Sequence, residues 1–297
     1  MAKNIICNLC DSADSKLIKS GVFGNEAQNI YQCIKCAHLF LAPLLEDSEE
    51  EHFYLNEYPT FLLKRGDTKS ISPEEHFIKN KSEAIRRFKY IKKHLTKSKD
   101  VLEIGSATGF FLAHLKNKVK SAAGIEPNID QRNFANKKKI ITHENISSLK
   151  GKKFDLIFLY YVLEHIKSPV QFMADLQKLL KNSNSKIIFE VPNADEALIK
   201  LYRSPAYNNF VWQRAHCSYF TPKTLAPLFK NMGMNVEFVP IQRYDISNHI
   251  YWLTEGKPGG TGKYSNIFSE ILNKEYRNSL ERSWLCDSIL AVVTNNK

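Results

Sequence analysis

The amino-acid sequence predicts an α/β protein built on a doubly wound, mainly parallel sheet and preceded by a small cysteine-rich module. Strand and helix patterns alternate from about residue 75 onward, and a turn of small residues follows a buried strand at 101–104. Two C-x-x-C pairs lie near the N-terminus. Alternating strands and helices are typical of a parallel sheet. A length of 297 residues is enough for about two domains.

Composition and charge narrow the class of protein. The hydrophobic content of 43% is enough for a core, and no apolar run approaches the roughly 20 residues of a membrane span. Because the N-terminus also lacks a signal-peptide pattern, we expect a cytoplasmic protein. The net charge of +11 is unevenly placed: residues 1–70 are net acidic, residues 71–100 are basic, and the remaining excess is spread over the rest of the chain. The solvated face of an amphipathic helix explains the basic stretch, although nucleic acid or an acidic small substrate would also suit it.

Four cysteines form two C-x-x-C pairs, Cys7 with Cys10 and Cys33 with Cys36. The residues between the pairs have the pattern of short strands of a ribbon. In a cytosolic chain this spacing indicates metal binding rather than disulfides. Four thiolates complete a closed tetrahedral site, so we expect a structural Zn²⁺ ion in a module of residues 1–42.

An acidic, aromatic connector is predicted over residues 43–73. Its residues Tyr54, Tyr58 and Phe61 either line a substrate cavity or simply anchor the connector. A helix is then expected from residue 73 to about residue 95.

The main domain is predicted over residues 74–297, with a lid or insertion around 203–285. After the strand at 101–104, further strands are expected at 122–125, 139–142, 154–160, 186–191, 234–240 and 288–294. Further helices are expected at 110–116, 128–138, 170–180, 221–232 and 264–282.

The turn at 105–109 has the spacing G-S-A-T-G. No G-K-[ST] follows it, which excludes a P-loop, and the dinucleotide fingerprint G-x-G-x-x-G also fails. Small residues allow the backbone of such a turn to approach a ligand closely. Glu126 lies about 20 residues further on, at the end of the next strand, where an acid binds ribose hydroxyls in nucleotide folds.

Glu103, Gly105, Ala107 and Gly109 resemble the first motif of class I S-adenosylmethionine-dependent methyltransferases, D/E-x-G-x-G-x-G, with alanine at the middle glycine. The segments GIEPN, FDLIFLYYVLEHI and FEVPN follow in the family's order, so the resemblance covers roughly residues 75–297. It implies S-adenosyl-L-methionine as the cofactor and a Rossmann-like, seven-stranded sheet whose last strand is antiparallel.

The resemblance also implies where the cofactor lies. Glu103 is expected near its amino end, and Asn145 and Ile146 beside its adenine. Tyr160 or Tyr161 would face the methionine portion. The complete predicted set is Glu103, Gly105, Ser106, Ala107, Gly109, Phe110, Glu126, Pro127, Asn145, Ile146 and Tyr160.

A zinc module ahead of this fold is similar to sugar methyltransferases that act on nucleotide-linked deoxysugars. Their further C-terminal domain is not among the 297 residues. The resemblance implies a small acceptor, anionic or sugar-based, methylated on oxygen or carbon. The alternatives are a lipid, quinone or natural-product acceptor and, from another class, a nucleic-acid-binding zinc protein or RNA methyltransferase. The net acidic residues 1–70 argue against nucleic acid as the partner.

Methyl transfer to a hydroxyl or a carbon acid needs a base near the methyl group. In the sugar methyltransferases a Glu-His pair after strand four is implicated in proton abstraction, and Glu164-His165 matches it, preceded by Tyr161. His165 is the first candidate, because the unperturbed pKa of histidine is near neutrality. The same pair could instead cap or pack the following helix.

A second candidate base lies in the polar and aromatic loop at 212–222. His216 or Tyr219 would contact the substrate there, unless the loop only closes the sheet edge. Arg214 and Arg243 are expected at the surface, with contact to an anionic group such as a diphosphate as the alternative. The segment 249–252, with a histidine, a tyrosine and a tryptophan, is suited to stacking on a sugar or aromatic ring.

Overall fold

The structure, a computed structural model, describes residues 5–66 and 71–296. The remaining parts of the predicted zinc module (1–4) and connector (67–70), and residue 297, lie outside the described residues. The strands are β1 (Ser15–Lys19), β2 (Asn29–Cys33), β3 (Leu39–Ala42), β4 (Asp100–Ile104), β5 (Ser121–Ile125), β6 (Thr142–His143), β7 (Leu156–Tyr160), β8 (Lys186–Pro192), β9 (Ser218–Tyr219), β10 (Met234–Ile241) and β11 (Ser288–Asn295).

Helices lie between these strands. They are α1 (Asp47–His52), α2 (Tyr58–Lys64), α3 (Pro73–Lys79), α4 (Lys81–Ile91), α5 (Phe110–Leu115), α6 (Ile129–Lys137), α7 (Pro169–Lys178), α8 (Ala197–Lys200), α9 (Pro205–Val211), α10 (Pro222–Asn231), α11 (Ile246–Glu255) and α12 (Glu270–Arg282). Within 5–66 and 71–296, no helix is both long enough and apolar enough to cross a membrane.

Among the described residues, the main sheet has seven strands in the order β10-β11-β8-β7-β4-β5-β6. β4 to β8 run parallel, and β11 is antiparallel to both of its neighbours. The predicted Rossmann-like sheet with an antiparallel last strand is therefore confirmed. The strand order reverses between β4 and β7, and ligands of such sheets bind at the carboxyl ends of the strands next to this reversal.

Apolar side chains cover both faces of the main sheet. Leu102, Ile157 and Phe189 belong to the buried cluster on one face, and Val101 and Phe158 belong to the cluster on the other. The second cluster includes residues of α4 and α5. Because side chains of a strand alternate between faces, every second residue of β4, β7 and β8 points toward α4.

The cysteine-rich module forms a second sheet with the order β1-β2-β3-β9. The short strands predicted between the two cysteine pairs are present as β1 and β2. The fourth strand comes from the far part of the chain, with Leu39 paired to Tyr219 and Phe40 paired to Ser218. The module is therefore joined to the segment that precedes α10, which the sequence did not predict.

The predicted helix at 73–95 was wrong in one respect, because it is broken at Asn80. The Asn80 backbone has φ −91° and ψ 9°, and its Nδ2 donates a 2.8 Å hydrogen bond to the carbonyl of His76. An asparagine side chain can satisfy the end of one helix in this way and interrupt the pattern.

Two predicted boundaries also shift. The strand expected at 139–142 is Thr142–His143, because Lys139 has a φ of 62°, which a strand does not adopt. The helix expected from 264 begins at Glu270, where the Ser269 side chain caps it by accepting from the Leu272 amide.

Candidate functional site

The turn after β4 has the backbone geometry of a ligand cradle. Gly105, Ala107 and Gly109 have φ values of 68°, 48° and 75°, in the left-handed region that glycine adopts most easily. The amides of Gly105 and Ser106 both donate to the carbonyl of Ile125, at 2.8 and 3.0 Å. The turn is therefore fixed against the end of β5.

Glu126 lies at the end of β5 and binds the same turn. Its Oε2 accepts from the Ala107 amide and its Oε1 from the Asn128 amide, both at 2.8 Å. Arg132 Nη1 donates to the carbonyls of Glu126 and Pro127. Each carboxylate oxygen has a second lone pair, so the side chain can hold the turn and still accept from a ligand hydroxyl.

Glu103 is almost fully buried on the α4 side of the sheet, and its nearest charged partner is Arg87. Arg87 Nη1 lies 3.4 Å from its Oε1, and the guanidinium also covers the rings of Tyr160 and Phe110 at 4.2 and 5.0 Å. Burial raises the pKa of Glu103 to about 8, against the opposing effect of Arg87.

Among the described residues, thirteen buried side-chain polar atoms have no hydrogen-bond partner, and four of them lie at or just after the ends of β4 and β7. These four are Glu103 Oε2, Ser106 Oγ, Tyr160 Oη and Glu164 Oε2. Such atoms are uncommon in a folded interior, because leaving one unsatisfied costs about 1–3 kcal/mol. These four residues therefore fit a polar ligand beside the turn. A cofactor that carries an amino-acid group is a ligand of this kind.

The predicted adenine residues lie just beyond the edge strand β6. Asn145 is exposed and accepts from the Ser148 amide at 3.2 Å, which starts the 3-10 turn Ile146–Leu149. Ile146 is half-buried against the core.

The hydroxyl of Tyr161 is bonded to other side chains and is not available to a ligand at the turn 105–109. Its hydroxyl donates to Glu190 Oε1 at 2.6 Å and lies 2.9 Å from Ser288 Oγ. Arg86 reaches the same Glu190 carboxylate at 2.8 Å, and the Arg243 guanidinium lies 4.7 Å from the ring centre of Tyr161. Tyr161 is thus a member of a buried polar network between β7, β8 and β11.

The two candidate bases predicted at separate positions meet in one cluster. Glu164, His165 and His216 each offer a ligand atom within 4.8 Å of the others. His165 Nδ1 donates to the Ala215 carbonyl at 2.8 Å, and the Tyr54 hydroxyl lies 3.3 Å from the same nitrogen. Burial raises the pKa of Glu164 to about 8, lowers that of His165 to about 4 and lowers that of His216 well below its usual value.

The cysteine-rich module positions the His216 loop. The Cys217 amide donates to the Glu164 carbonyl at 2.7 Å, and Asn8 of the first C-x-x-C turn donates to Ser218 Oγ at 2.9 Å. The hydroxyl of Tyr219 is buried and accepts from the Gln213 amide at 2.7 Å. Tyr219 therefore holds the loop in place.

Two arginines expected at the surface are in fact paired. Arg214 Nη1 donates to Glu57 at 2.8 Å, and its guanidinium lies 4.1 Å from the ring centre of Phe53 in the connector. Arg243 Nε donates to Asp287 at 2.8 Å. The expectation of solvated side chains was wrong, because both guanidiniums lie beside aromatic rings and carboxylates.

Two of the three rings in the segment at 249–252 are closed to a ligand, whereas the ring of Tyr251 is half-buried and lies beside Lys257 and Lys263. His249 is 1% exposed and bonded to the Tyr276 hydroxyl, and Trp252 is 4% exposed and packs on the ring of Tyr207. His249 and Trp252 therefore pack among the helices α9, α11 and α12. Tyr54 of the connector is instead the aromatic side chain that reaches the candidate bases.

The four N-terminal cysteines form a second, separate group. Sγ of Cys7 lies 3.6 Å from Sγ of Cys36, and Sγ of Cys10 lies 3.5 Å from Sγ of Cys33. All four are free thiols within 4.8 Å of one another. A tetrahedral zinc ion with Zn–S bonds of about 2.3 Å separates its sulfurs by about 3.8 Å, so the donor set fits zinc.

The sheet order, the turn and the terminal acid of β5 define an α/β enzyme that binds a nucleotide-like cofactor at the ends of β4 and β5. The sequence model of the methyltransferase domain family matches residues 75–238, more than half of the chain. The chain belongs to this family and is an S-adenosylmethionine-dependent methyltransferase.

Individual relatives are distant. An uncharacterized methyltransferase of Staphylococcus carnosus (strain TM300) is 26% identical over 161 residues, 48% of this chain and 74% of that protein. Magnesium protoporphyrin IX methyltransferase of Synechocystis PCC 6803, with bound S-adenosylhomocysteine, has a TM-score of 0.51 at 11% identity, covering 84% of this chain and 99% of that one. A SAM-dependent methyltransferase from Archaeoglobus fulgidus has a TM-score of 0.47 at 20% identity, covering 75% and 97%.

Proposed function

We propose that this methyltransferase modifies a small, polar, carbohydrate-like acceptor, with a nucleotide-linked sugar as the first candidate. The observation that carries the proposal is the buried polar network at the carboxyl ends of β7 and β8, together with the nearby Glu164. Tyr161, Glu164, Glu190, Arg243 and Asp287 bring a phenol, three carboxylates and a guanidinium together. Such groups suit a ligand with many hydroxyls, whereas a lipid or quinone tail would need an apolar cavity.

The cofactor is proposed to lie along the turn. The backbone of Gly105, Ala107 and Gly109 would hold its methionine portion, and Glu126 would accept from its ribose. When bound, S-adenosylmethionine supplies a methyl group on a positively charged sulfur.

Other predicted residues would complete the cofactor site. Glu103 Oε2, which is buried and unsatisfied, is suited to its ammonium group. Asn145 and Ile146 remain the proposed adenine contacts, and Tyr160 borders the methionine end.

His165 is the proposed proton acceptor for an acceptor hydroxyl. Its low pKa keeps the ring neutral at pH 7, and the bond from Nδ1–H to Ala215 leaves Nε2 with a free lone pair. Glu164 lies beside the ring, and a positive charge that develops there would favour the loss of the proton that its raised pKa retains at pH 7. His216, next to it, is the alternative proton acceptor. The proposed zinc ion in the cysteine-rich module has a structural role only.

The test is incubation of the zinc-containing full chain with S-adenosylmethionine and four acceptor classes: nucleotide sugars, sugar phosphates, quinols and flat aromatic hydroxyl compounds. We expect a nucleotide sugar to gain the mass of one methyl group. The aromatic side chains around Tyr54 favour the flat hydroxyl compounds as second candidate. Methylation of quinols alone, or of none of the four classes, would refute the carbohydrate proposal.

Binding of the cofactor product is expected to depend on pH through Glu103. Below pH 8 the buried carboxyl of the free protein holds a proton, and pairing with a ligand ammonium requires its loss. The affinity for S-adenosylhomocysteine should therefore rise between pH 6 and pH 7.5, by up to about tenfold per pH unit. Titration calorimetry at several pH values measures this rise.

The matched control is Glu196→Gln. Glu196 is likewise buried with a pKa raised to about 8, but it lies at the start of α8, away from the turn. Glu103→Gln should weaken binding and flatten the pH profile, and Glu196→Gln should preserve both. A profile that stays steep in Glu103→Gln would show that another group releases the proton.

A further inference from the structure

Three potential metal ligands converge at the acceptor side of the site. The carboxylate of Glu164 and the imidazoles of His165 and His216 offer ligand atoms within 4.8 Å of one another. Two come from the 3-10 segment after β7, and the third comes from the loop before β9. The ring centres of the two histidines are 4.9 Å apart with an interplanar angle of 89°.

Two of the three side chains each have one ligand atom that no described protein group occupies. Glu164 is 1% exposed, and its Oε2 has no hydrogen-bond partner among the described residues. The ring of His165 is oriented by the bond from Nδ1 to the Ala215 carbonyl, which leaves Nε2 free. A histidine that donates its second nitrogen to a backbone carbonyl is typical of metal ligands.

His216 is oriented from the other side. The side-chain nitrogen of Gln213, Nε2, lies 3.0 Å from Nε2 and 3.4 Å from Nδ1 of the His216 ring. A hydrogen bond from Gln213 to one ring nitrogen leaves the other ring nitrogen for a different partner. The bond from the Cys217 amide to the Glu164 carbonyl fixes the two segments to each other. The ligand positions are therefore set by the backbone, as a metal site requires.

We propose that Glu164, His165 and His216 form a divalent-cation site, distinct from the four-cysteine group. Two imidazoles and one carboxylate form a donor set for borderline ions such as Zn²⁺, Fe²⁺ or Mn²⁺, and three protein ligands leave positions open. The four thiolates form a closed, soft site that selects zinc. The two groups should therefore differ in which ions they hold and in whether they accept a further ligand.

This inference rests on the proposed function of the same site, because the open positions would face the acceptor. An acceptor hydroxyl bound to the cation would be made more acidic, so that its proton can pass to solvent water before its oxygen attacks the methyl group. With Nε2 on the cation, His165 would be a ligand and would no longer be the proton acceptor. Vicinal hydroxyls of a sugar ring could occupy two open positions. The cation would thus help to select a polar acceptor over an apolar one.

The probe is Mn²⁺, because carboxylate and imidazole ligands suit it better than thiolates do. The zinc-containing full chain is titrated with Mn²⁺ and the free ion is followed by electron paramagnetic resonance. We expect saturable binding of one ion, with the affinity reduced at least about tenfold in Glu164→Gln and in His216→Gln. His114→Gln is the matched control, because His114 is a half-buried histidine that packs on Phe88 of α4 and belongs to neither group.

Two results would overturn the site: a wild-type chain that binds no Mn²⁺, or variants that bind it as the wild type does. The affinity for S-adenosylhomocysteine, measured in the same samples, separates this inference from the proposed function. If that ligand binds and Mn²⁺ does not, the cation site is refuted and His165 remains the candidate base. If neither binds, the proposed cofactor site fails as well.

Discussion

Gly105→Ala is expected to weaken S-adenosylhomocysteine binding by about tenfold or more, while Gly151→Ala leaves it close to the wild-type value. Both glycines have left-handed φ values, 68° and 77°, so alanine costs a similar backbone strain of about 1–2 kcal/mol at each position. A Cβ on Gly105 would lie 2.6 Å from Val162 Cγ2, whereas a Cβ on Gly151 would have no described atom within 4 Å.

The collision at Gly105 cannot be relieved cheaply. Valine is restricted in its χ1 angle, so the backbone of the turn or of Val162 must move. The turn is bound to Ile125, and Val162 leads directly into Glu164. A shift on either side therefore distorts the proposed cofactor cradle or the candidate base cluster.

Titration calorimetry and thermal unfolding of the two variants separate strain from the collision. The expected pattern is a loss of unfolding temperature in both variants, larger in Gly105→Ala because of the collision, with a loss of binding only in Gly105→Ala. If both variants bind S-adenosylhomocysteine with the wild-type affinity, the turn does not contact the cofactor. If both variants lose affinity to the same extent, the effect comes from general destabilisation.

The turn after β4 and the acid beside it were predictable because their signals are local. The left-handed turn needs small residues at fixed spacing, and Glu126 ends the very next strand, so G-S-A-T-G and the acid are read from one short stretch. The alternation of strands and helices is also a local pattern, and it predicted the sheet.

The acceptor side depends on long-range contacts that no local pattern encodes. His165 and His216 are distant in sequence and meet because β9 pairs with β3 of the cysteine-rich module. Arg86 and Arg87 looked like part of a solvated helix face, yet they pair with Glu190 and Glu103 at strand ends. Acidic residues in otherwise apolar strands were the available signal, since a buried carboxylate needs a partner.

Cys36→Ser is expected to remove zinc from the N-terminal group, unfold β1 to β3 and reduce methyl transfer strongly, with S-adenosylhomocysteine binding largely kept. Zinc binding is worth about 10–16 kcal/mol in small zinc modules, comparable to the whole stability of a domain, so the module is not expected to hold without it. The cofactor turn belongs to the other sheet, whereas the His216 loop is tied to the module through Ser218 and Asn8.

Cys286→Ala is the matched control, because Cys286 is also a buried free thiol but lies outside the four-cysteine group. It should keep its zinc and its activity, with only a small loss of stability. Elemental analysis gives the zinc content, and hydrogen exchange over β1 to β3 and over residues 212–219 reports whether the module and the loop loosen together. If the exchange of 212–219 and the turnover stay unchanged in zinc-free Cys36→Ser, β9 does not transmit the order of the module to the candidate base, and His216 must be positioned by the main domain alone.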